Sequence, residues 1–364
     1  MIFVINFNIY KKYAKIKNIG GIETNTNDVI NELRHRGHNV WVPEREPEEP
    51  EWVKNGNVDV IAASTFDPLS YLQVNKYKKR FKHQAAVVRH AHTTVEDMVH
   101  LLPDMSLFKK IFELWLRIQY GPAHLLITPS NYSRECLLNM QKSLTYPIHV
   151  VSNGIKLEKF KENDDSRQNF RRYLNEKYEV PLDATIVLNV GLSWKKKGVD
   201  QFAEIARSFP ENYFVWVGPI NKNPDIDDAL ELKNVIFTGF YDDIREPYYG
   251  ADLFLNTSRV ENQGIPLIEA AVCGLPIVAK DLPAYDWVEN EVSCLKANST
   301  DEFIEAIEKI LNDKEFKNDI VKNARQVAID MHDFNKIGQK VEELYEKAIK
   351  IKKIYDKIRG IKHR

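Results

Sequence analysis

The stretch ADLFLNTSRVENQGIPLIEAAVCGLPIVAK, residues 251–280, decides the fold of this chain. It opens with a strand-like apolar run, which is followed by a polar loop. Pro266 suits the first turn of a helix, and that helix leads into a second apolar run, LPIVAK. Two buried strands joined by a helix form a parallel unit. Two carboxylates mark this unit, because Glu261 lies in the loop and Glu269 lies about one turn inside the helix.

The same alternation of short apolar runs and amphipathic stretches fills most of the chain. It predicts an α/β protein with two Rossmann-like, doubly wound parallel sheets. We expect domains at 1–152 and 153–330, with a C-terminal helix and basic tail, 331–364, that packs back toward the first domain. Ligands bind beyond the carboxyl ends of such strands, so the domains should face each other across a cleft. The predicted strands are 2–7, 38–43, 58–64, 84–92, 123–130 and 148–155, then 184–191, 213–218, 234–239, 251–258 and 275–280.

Length and composition favour a cytoplasmic globular protein. The 364 residues suggest two domains, and 43% hydrophobic with 28% charged residues is ordinary for such a protein. The 51 Lys and Arg against 52 Asp and Glu predict no nucleic-acid partner. Three distant cysteines fit a reducing compartment. The apolar N-terminus reads as a strand rather than a signal peptide, and no apolar run approaches the ~18 residues of a membrane span.

The glutamate pair of the opening stretch suits a ligand with phosphates and hydroxyls. The amides of Gln263, Gly264 and Ile265 should be free donors at a helix N-terminus, which is an anion site. A carboxylate on each side of that anion site suits the hydroxyls of a nucleotide sugar. A solvated acidic helix start is the alternative for Glu261, whereas Glu269 lies in an apolar run and needs a polar partner.

The spacing of these two glutamates resembles the E-x(7)-E motif of the retaining glycosyltransferase family 4, whose members have the GT-B fold. The continuation AAVCGLPIVAKD, residues 270–281, is also similar. The resemblance implies that Glu261 contacts the donor sugar and that Glu269 contacts the ribose hydroxyls.

The loop NVGLSWKKKG, residues 189–198, resembles the phosphate-binding loop of that family. Gly191 and Lys197 match its pattern, but Leu192 stands where the family has arginine. Lys195 or Lys196 could replace the missing charge, and Lys196 is taken as the donor-binding candidate. Solvated loop lysines are the alternative.

Two loops of the first domain complete the resemblance. The stretch NIGGIETN, residues 18–25, carries Gly20 and Gly21, which should lie near the donor phosphates. In RHAHTTVED, residues 89–97, His92 best matches a histidine that the family places near the reacting sugar. A core histidine is the alternative. His90 and His92 lack a third ligand at suitable spacing, so no metal site is predicted.

Other segments carry weaker signals. The stretch NVIFTGFYDD, residues 234–243, resembles the loop beside the nucleobase, where Phe240 is the candidate, although Phe240 and Tyr241 could both be core residues. Lys156 replaces a family aspartate and receives no role. The run PDIDDA, residues 224–229, is interpreted as an acidic helix start rather than a metal site.

The resemblance therefore implies a metal-independent enzyme without a cofactor. It moves a hexose, with retention of configuration, from a nucleoside diphosphate sugar such as UDP-glucose. His92, Glu261 and Lys197 are the catalytic candidates. The rival classes are a nucleotide-sugar epimerase, a phosphorylase and a non-catalytic nucleotide-sugar-binding homologue.

Three basic or amphipathic segments favour a membrane lipid as acceptor. They are SLFKKIFELWLRIQY (106–120), KKYAKIK (11–17) and the tail KAIKIKKIYDKIRGIKHR (347–364). The segments HAHTTVEDM (90–98) and 258–287 also resemble diacylglycerol glucosyltransferases. We therefore expect a peripheral protein on an anionic membrane surface, at the inner face of the cell membrane. A polysaccharide or a polyprenyl-linked glycan remains an open alternative.

Overall fold

The protein forms two units in a computed structural model that describes residues 2–5, 21–43, 45–81, 84–99, 106–141, 146–162, 165–220 and 224–360. One unit comprises Met1–Gly154 together with Phe334–Arg364, and the other comprises Ile155–Asp333. The predicted boundaries were 152 and 330. The predicted basic loop 11–17 and Gly20 lie outside the described residues.

The first unit is built on a six-stranded parallel sheet with the order β2-β1-β3-β4-β5-β6. Its strands are β1 Ile2–Ile5, β2 Val40–Trp41, β3 Val60–Ala63, β4 Ala86–His90, β5 Leu125–Thr128 and β6 Ile148–Val150. Its helices are α1 Gly21–His35, α2 Glu51–Lys54, α3 Pro68–Arg80, α4 Val95–Val99, α5 Ser106–Tyr120 and α6 Asn131–Gln141.

Alternating strand residues fill a separate core on each face of this sheet. Val87 and Leu126 point into the core that α3 and α5 cover. Val88 and Ile127, one residue further along their strands, point into the opposite core. The long C-terminal helix α14, Phe334–Ile358, covers that second face with Phe334, Val341 and other apolar side chains. The C-terminal helix α14 therefore belongs to the first unit, together with the N-terminal part of the chain.

The second unit is a six-stranded parallel sheet with the order β12-β11-β10-β7-β8-β9. Its strands are β7 Ile186–Val190, β8 Tyr213–Val217, β9 Val235–Gly239, β10 Leu253–Asn256, β11 Ile277–Lys280 and β12 Leu295–Ala297. Its helices are α7 Ser166–Tyr178, α8 Val199–Arg207, α9 Pro224–Leu230, α10 Arg245–Gly250, α11 Ile265–Val272, α12 Thr300–Asn312 and α13 Lys314–His332. The strand order reverses between β7 and β10, and such a switch point is where ligands bind in sheets of this kind.

Two parallel, doubly wound sheets confirm the predicted fold class, and three local details differ from the expectation. Gly21 is the first residue of α1 rather than part of a loop. The helix α7 was missed because its sequence is highly polar, but Arg171 ties it to Gly250 and Asp252 of the neighbouring segment. The strand β12 was missed because it is only three residues long and contains Lys296. Within the described part of the chain, no helix combines the length and the apolar character needed to cross a bilayer.

Candidate active site

The candidate site of the second unit lies at the switch point between β7 and β10. The loop after β7 runs from Gly191 to Gly198 and contains a short 3-10 turn, Lys195–Lys197. The loop after β10 carries Glu261 and ends at Gly264, the N-cap of α11. Because β7 and β10 are neighbours in the sheet, both predicted motifs emerge side by side at its carboxyl edge.

A salt bridge joins the two motifs directly. The Lys197 ammonium donates to Oε1 of Glu261, and the Ser258 hydroxyl donates to the same oxygen at 2.9 Å. Glu261 is buried. A buried carboxylate needs such partners, because an unpaired charge away from water is costly. The structure therefore contradicts the alternative in which Glu261 is a solvated residue at an acidic helix start.

The backbones of the two loops are also in close contact. The Thr257 hydroxyl donates to the carbonyl of Gly198 at 2.9 Å. A Cβ atom at Gly198 would lie 2.0 Å from the Thr257 carbonyl oxygen, and Gly198 has a φ of +73°. Only glycine fits both conditions. This contact explains a glycine that directly follows the lysines.

Arg259 holds the lysine turn from the opposite loop. Its guanidinium makes a two-point pair with Asp200, with nitrogen–oxygen distances of 2.8 and 2.6 Å, and also donates to the Lys195 carbonyl. The Arg259 amide donates to the Lys196 carbonyl at 2.8 Å. Paired guanidinium–carboxylate contacts fix direction as well as distance. Arg259 therefore determines where the turn that carries Lys197 can lie.

Glu269 lies one turn inside α11, as the sequence predicted, and its side chain is half-buried. The Tyr248 hydroxyl donates to Glu269 Oε2 at 2.7 Å. Burial raises the pKa of Glu269 to about 7, and the hydrogen bond from Tyr248 opposes this rise only in part. The polar partner that an apolar run requires is thus a tyrosine from α10.

The turn before α11 is packed against Tyr285. Gly264 has a φ of +75°, and a Cβ atom there would lie 2.5 Å from a ring carbon of Tyr285. The Tyr285 hydroxyl donates to Asn256 at the end of β10, at 2.9 Å. Gln263 is buried and Ile265 begins the helix. Packing alone thus explains Gly264, and residues 263–265 lie at a helix N-terminus as predicted.

The remaining predicted residues of the β7 loop have different surroundings. Gly191 directly follows β7, and a Cβ atom there would meet no atom within 4 Å, so space remains open above it. Leu192, at the position of the family arginine, is exposed. The Lys196 ammonium lies over the Trp194 ring, 5.7 Å from its centre. Lys197 is the loop lysine that contacts Glu261.

The structure separates the two aromatic residues after β9. Phe240 is 58% exposed. Tyr241 packs edge-on against Phe170 and Tyr173, and its hydroxyl donates to Glu246 at 2.6 Å. Tyr241 is therefore a half-buried residue held by its neighbours, whereas Phe240 is accessible to a ligand.

In the first unit, His90 and His92 lie at the carboxyl end of β4. Their rings are stacked with centres 6.1 Å apart, and His90 Nε2 is 2.7 Å from the Tyr345 hydroxyl of α14. Both histidines line a small cavity together with Asn25, Thr128 and Asn153. Burial lowers the pKa of His90 to about 3 and that of His92 to about 4, so both rings are neutral near pH 7.

The described residues contain no cluster of three or more His, Cys, Asp or Glu that could hold a metal ion. Cys136, Cys273 and Cys294 are free thiols.

Sequence reasoning missed several residues that hold the site together. Thr257, Ser258 and Arg259 stand two to four residues before Glu261, and their role shows only when β7 and β10 are paired. Tyr248 and Tyr285 come from other elements. No sequence pattern links them to Glu269 and Gly264.

Comparison with known proteins identifies the family of this chain. The model for glycosyl transferases group 1 matches residues 157–327, and that for Glycosyltransferase Family 4 matches residues 49–159. A processive diacylglycerol alpha-glucosyltransferase from Acholeplasma laidlawii is 30% identical over 77% of this chain and 84% of its own length. The chain therefore belongs to glycosyltransferase family 4, and its two parallel sheets are those of the GT-B fold.

Two further proteins show the breadth of this similarity. The N,N'-diacetylbacillosaminyl-diphospho-undecaprenol alpha-1,3-N-acetylgalactosaminyltransferase of Campylobacter jejuni is 27% identical over 67% of this chain and 66% of its own length. The crystal structure of Anabaena HepE in complex with UDP-glucose has a TM-score of 0.75 at 18% identity, covering 95% of this chain and 100% of that one. The last comparison concerns the fold alone.

Proposed function

We propose that this glycosyltransferase moves glucose from UDP-glucose to a hydroxyl of a membrane lipid such as diacylglycerol, with retention of the anomeric configuration. The name of the Acholeplasma relative supports the lipid and the sugar. UDP-glucose is the ligand of the Anabaena protein that shares this fold, which makes it the first donor to test. No cofactor takes part, and the nucleotide sugar is a co-substrate.

The observation that carries the proposal is the pair of Lys197 and Glu261 at the switch point. Both contacts to the Glu261 carboxylate fall on Oε1, so Oε2 is the oxygen that orients the sugar hydroxyls. The Lys197 ammonium neutralises the leaving diphosphate. Residues 263–265 at the start of α11 add amide donors to that phosphate. A positive charge and helix amides held in place before the reaction stabilise developing negative charge.

The nucleoside end of the donor lies further along the same edge. The Glu269 carboxylate accepts from the ribose hydroxyls, and exposed Phe240 covers the base. Gly191 leaves room for the diphosphate to approach the β7 loop, where Lys196 supplies the charge that Leu192 lacks. The role of Gly20 and Gly21 near the donor phosphates stays a prediction from the family resemblance.

The transfer step takes place on one face of the sugar. The bond between the anomeric carbon and the diphosphate oxygen breaks, and the acceptor oxygen bonds to the same face of that carbon. The acceptor proton passes to an oxygen of the leaving diphosphate, so no protein base is needed. Neutral His92 contacts the sugar near the anomeric centre. The proposed step uses no metal ion, because Lys197 and the α11 amides supply the positive charge.

The exposed face of α5 supports contact with a membrane. Leu107, Ile111, Leu114 and Ile118 are 66, 56, 57 and 41% exposed and recur at helical spacing along one side. Lys109 and Lys110 beside them are exposed as well. An apolar stripe flanked by lysines suits the surface of an anionic bilayer. We propose a peripheral protein at the inner face of the cell membrane.

The test is to incubate the protein with liposomes containing diacylglycerol and a panel of nucleotide sugars, and to follow nucleoside diphosphate release. Release from UDP-glucose that requires lipid, persists in EDTA and is lost in Glu261→Gln supports the proposal. The control variant is Glu289→Gln, because Glu289 is an exposed glutamate of the same unit. The NMR coupling of the anomeric proton in the product reports retention or inversion.

Other outcomes point to the alternatives. Turnover only with a polyprenyl-linked acceptor would favour the glycan reaction that the name of the Campylobacter relative describes. Tight donor binding without turnover on any acceptor would favour a non-catalytic homologue, which the leucine at position 192 makes worth testing.

A further inference from the structure

The backbone at His92 is fixed by hydrogen bonds from β5 and from its own turn. The Ala91 amide donates to the Ile127 carbonyl at 2.7 Å, and the Thr128 hydroxyl donates to the Ala91 carbonyl at 3.0 Å. The His92 amide donates to the His90 carbonyl at 3.2 Å. What these bonds do not determine is the orientation of the His92 ring.

A cavity beside His92 leaves space on one side of its ring. It borders His92 and is also lined by Asn25, Thr128 and Asn153, with room for about one water molecule. Packed side chains therefore do not hold the His92 ring on the side that faces the cavity. On its other side the ring stacks on His90, with an angle of 23° between the two planes.

The His90 ring is in turn held by the C-terminal helix. Tyr345 of α14 meets it edge-on, with ring centres 5.8 Å apart, and its hydroxyl lies 2.7 Å from His90 Nε2. His90 and Tyr345 are both buried, and a buried imidazole nitrogen that loses its partner carries a desolvation cost. The contact joins residues that are 255 positions apart in the chain.

We propose that Tyr345 is a positioning residue for the transfer reaction, which it serves by holding the His90 ring and, through it, the His92 ring. The inference rests on the proposed function, in which His92 contacts the sugar. Since both imidazoles are neutral near pH 7, Tyr345 acts on their geometry and not on their charge. The end of the chain thereby supports a group of the N-terminal unit that sequence reasoning treated as a local motif.

The first test is Tyr345→Phe, which keeps the aromatic ring and removes the hydroxyl. We expect kcat to fall about tenfold, as small misplacements of reacting groups do, with the donor KM unchanged. In a His92→Ala background the same substitution should cause no further loss, because there is no ring left to position. Tyr355→Phe is the matched control: it removes the same hydroxyl from the same helix, at a ring that meets His124 instead. It should leave kcat unchanged.

A second variant shows whether the loss of kcat in Tyr345→Phe comes only from lower protein stability. The double variant of His90→Phe with Tyr345→Phe removes both members of the hydrogen bond, so neither is left unpaired. His90→Phe alone removes the nitrogen that bonds the Tyr345 hydroxyl. It should lower kcat as Tyr345→Phe does, and adding Tyr345→Phe to it should cost nothing more. An equal loss from Tyr345→Phe in the wild-type, His90→Phe and His92→Ala backgrounds would overturn the proposal, because the tyrosine would then act independently of both rings.

An NMR measurement separates this proposal from the proposed function. The ring resonances of His92, assigned by their loss in His92→Ala, should shift in Tyr345→Phe and not in Tyr355→Phe. Unchanged His92 resonances in Tyr345→Phe would overturn the positioning role whatever the activity. The His92 resonances could shift in Tyr345→Phe while His92→Ala keeps full transferase activity. Tyr345 would then orient the His92 ring, but this orientation would play no part in the reaction, which overturns the proposed catalytic role of the contact.

Discussion

At the residue scale, the pair of Lys197 and Glu261 has a structural and a functional role that substitutions can separate. Lys197→Met should destabilise the protein, because it leaves the buried Glu261 carboxylate without its cation. Glu261→Gln in the same chain should restore much of the melting temperature. Activity should stay about a hundredfold down in both variants, as when one group that stabilises the transition state is lost.

The measurements for this pair are thermal unfolding and nucleoside diphosphate release. Lys195→Met is the control, since Lys195 is an exposed neighbour in the same turn. Recovery of activity together with stability in the double variant would show that the pair serves the fold alone.

Glu269 should make stability depend on pH near neutrality. Its folded-state pKa of about 7 exceeds the ordinary value of 4.5 because the charged form is buried. The favourable contribution of the neutral carboxyl is therefore full below pH 4.5 and is lost as the pH rises through 7. Tyr248 and Cys273 face the carboxyl, and burial raises the pKa of both, so neither titrates in this range.

Glu269→Gln removes this pH dependence and keeps an oxygen for the Tyr248 hydroxyl. We expect the melting temperature of the variant, relative to wild type, to rise between pH 5 and pH 8. A difference that stays constant across this range would mean that the Glu269 carboxyl titrates normally.

At the element scale, the turn Lys195–Lys197 depends on the loop after β10. Arg259→Leu removes the two-point pair with Asp200 and the contact to the Lys195 carbonyl. We expect donor KM to rise about tenfold, since the lysine turn loses its fixed geometry. Arg245→Leu is the control, because Arg245 makes a similar pair with Asp243 two residues away. A KM that changes equally in both variants would remove Arg259 from the site.

The exposed stripe of α5 predicts a separable membrane contact. Ile111→Ser with Leu114→Ser should lower partitioning onto anionic vesicles by at least about tenfold, because each buried apolar side chain contributes about 1.5–3 kcal/mol. Leu182→Ser with Leu230→Ser is the matched control, since those leucines are about equally exposed in the second unit. Cosedimentation measures the binding, and an unchanged melting temperature shows that the fold is intact. Equal partitioning of both variants would contradict the stripe as the contact.

The elements also show what a single sequence can and cannot predict. Helix α5 was predicted with its bounds, because amphipathic spacing is strong over 15 residues. The glutamate pair was predicted because its spacing can be recognised in the sequence without knowledge of any tertiary contact. Helix α7 and strand β12 were missed, since their signals come from Arg171 and from pairing with β11 rather than from local pattern. Arg259, Tyr248 and Tyr345 were missed for the same reason, as each acts across the fold.

At the scale of the whole molecule, the two units differ in how the chain builds them. Ile155–Asp333 is continuous, whereas the first unit needs residues from both ends. Helix α14 supplies Phe334, Ile337, Val341, Leu344, Tyr345 and Ala348 to the core on one face of the first sheet. Helix α1 contributes Val29, Ile30 and Leu33 to the same core. Without α14, part of this core would face water, which costs about 25 cal/mol per Å² of apolar surface.

This difference predicts the behaviour of fragments. Residues 155–333 should fold alone, with a cooperative thermal transition and near-ultraviolet dichroism from buried Trp216. Residues 1–154 should bind a hydrophobic dye and aggregate, because α1 alone covers only part of one face of their sheet. Coexpression with residues 334–364 should restore a folded, dye-free unit, and the variant segment Val341→Asp should fail to do so. A cooperative transition in 1–154 alone would mean that α14 adds little to that core, and the supporting role of Tyr345 would then need another explanation.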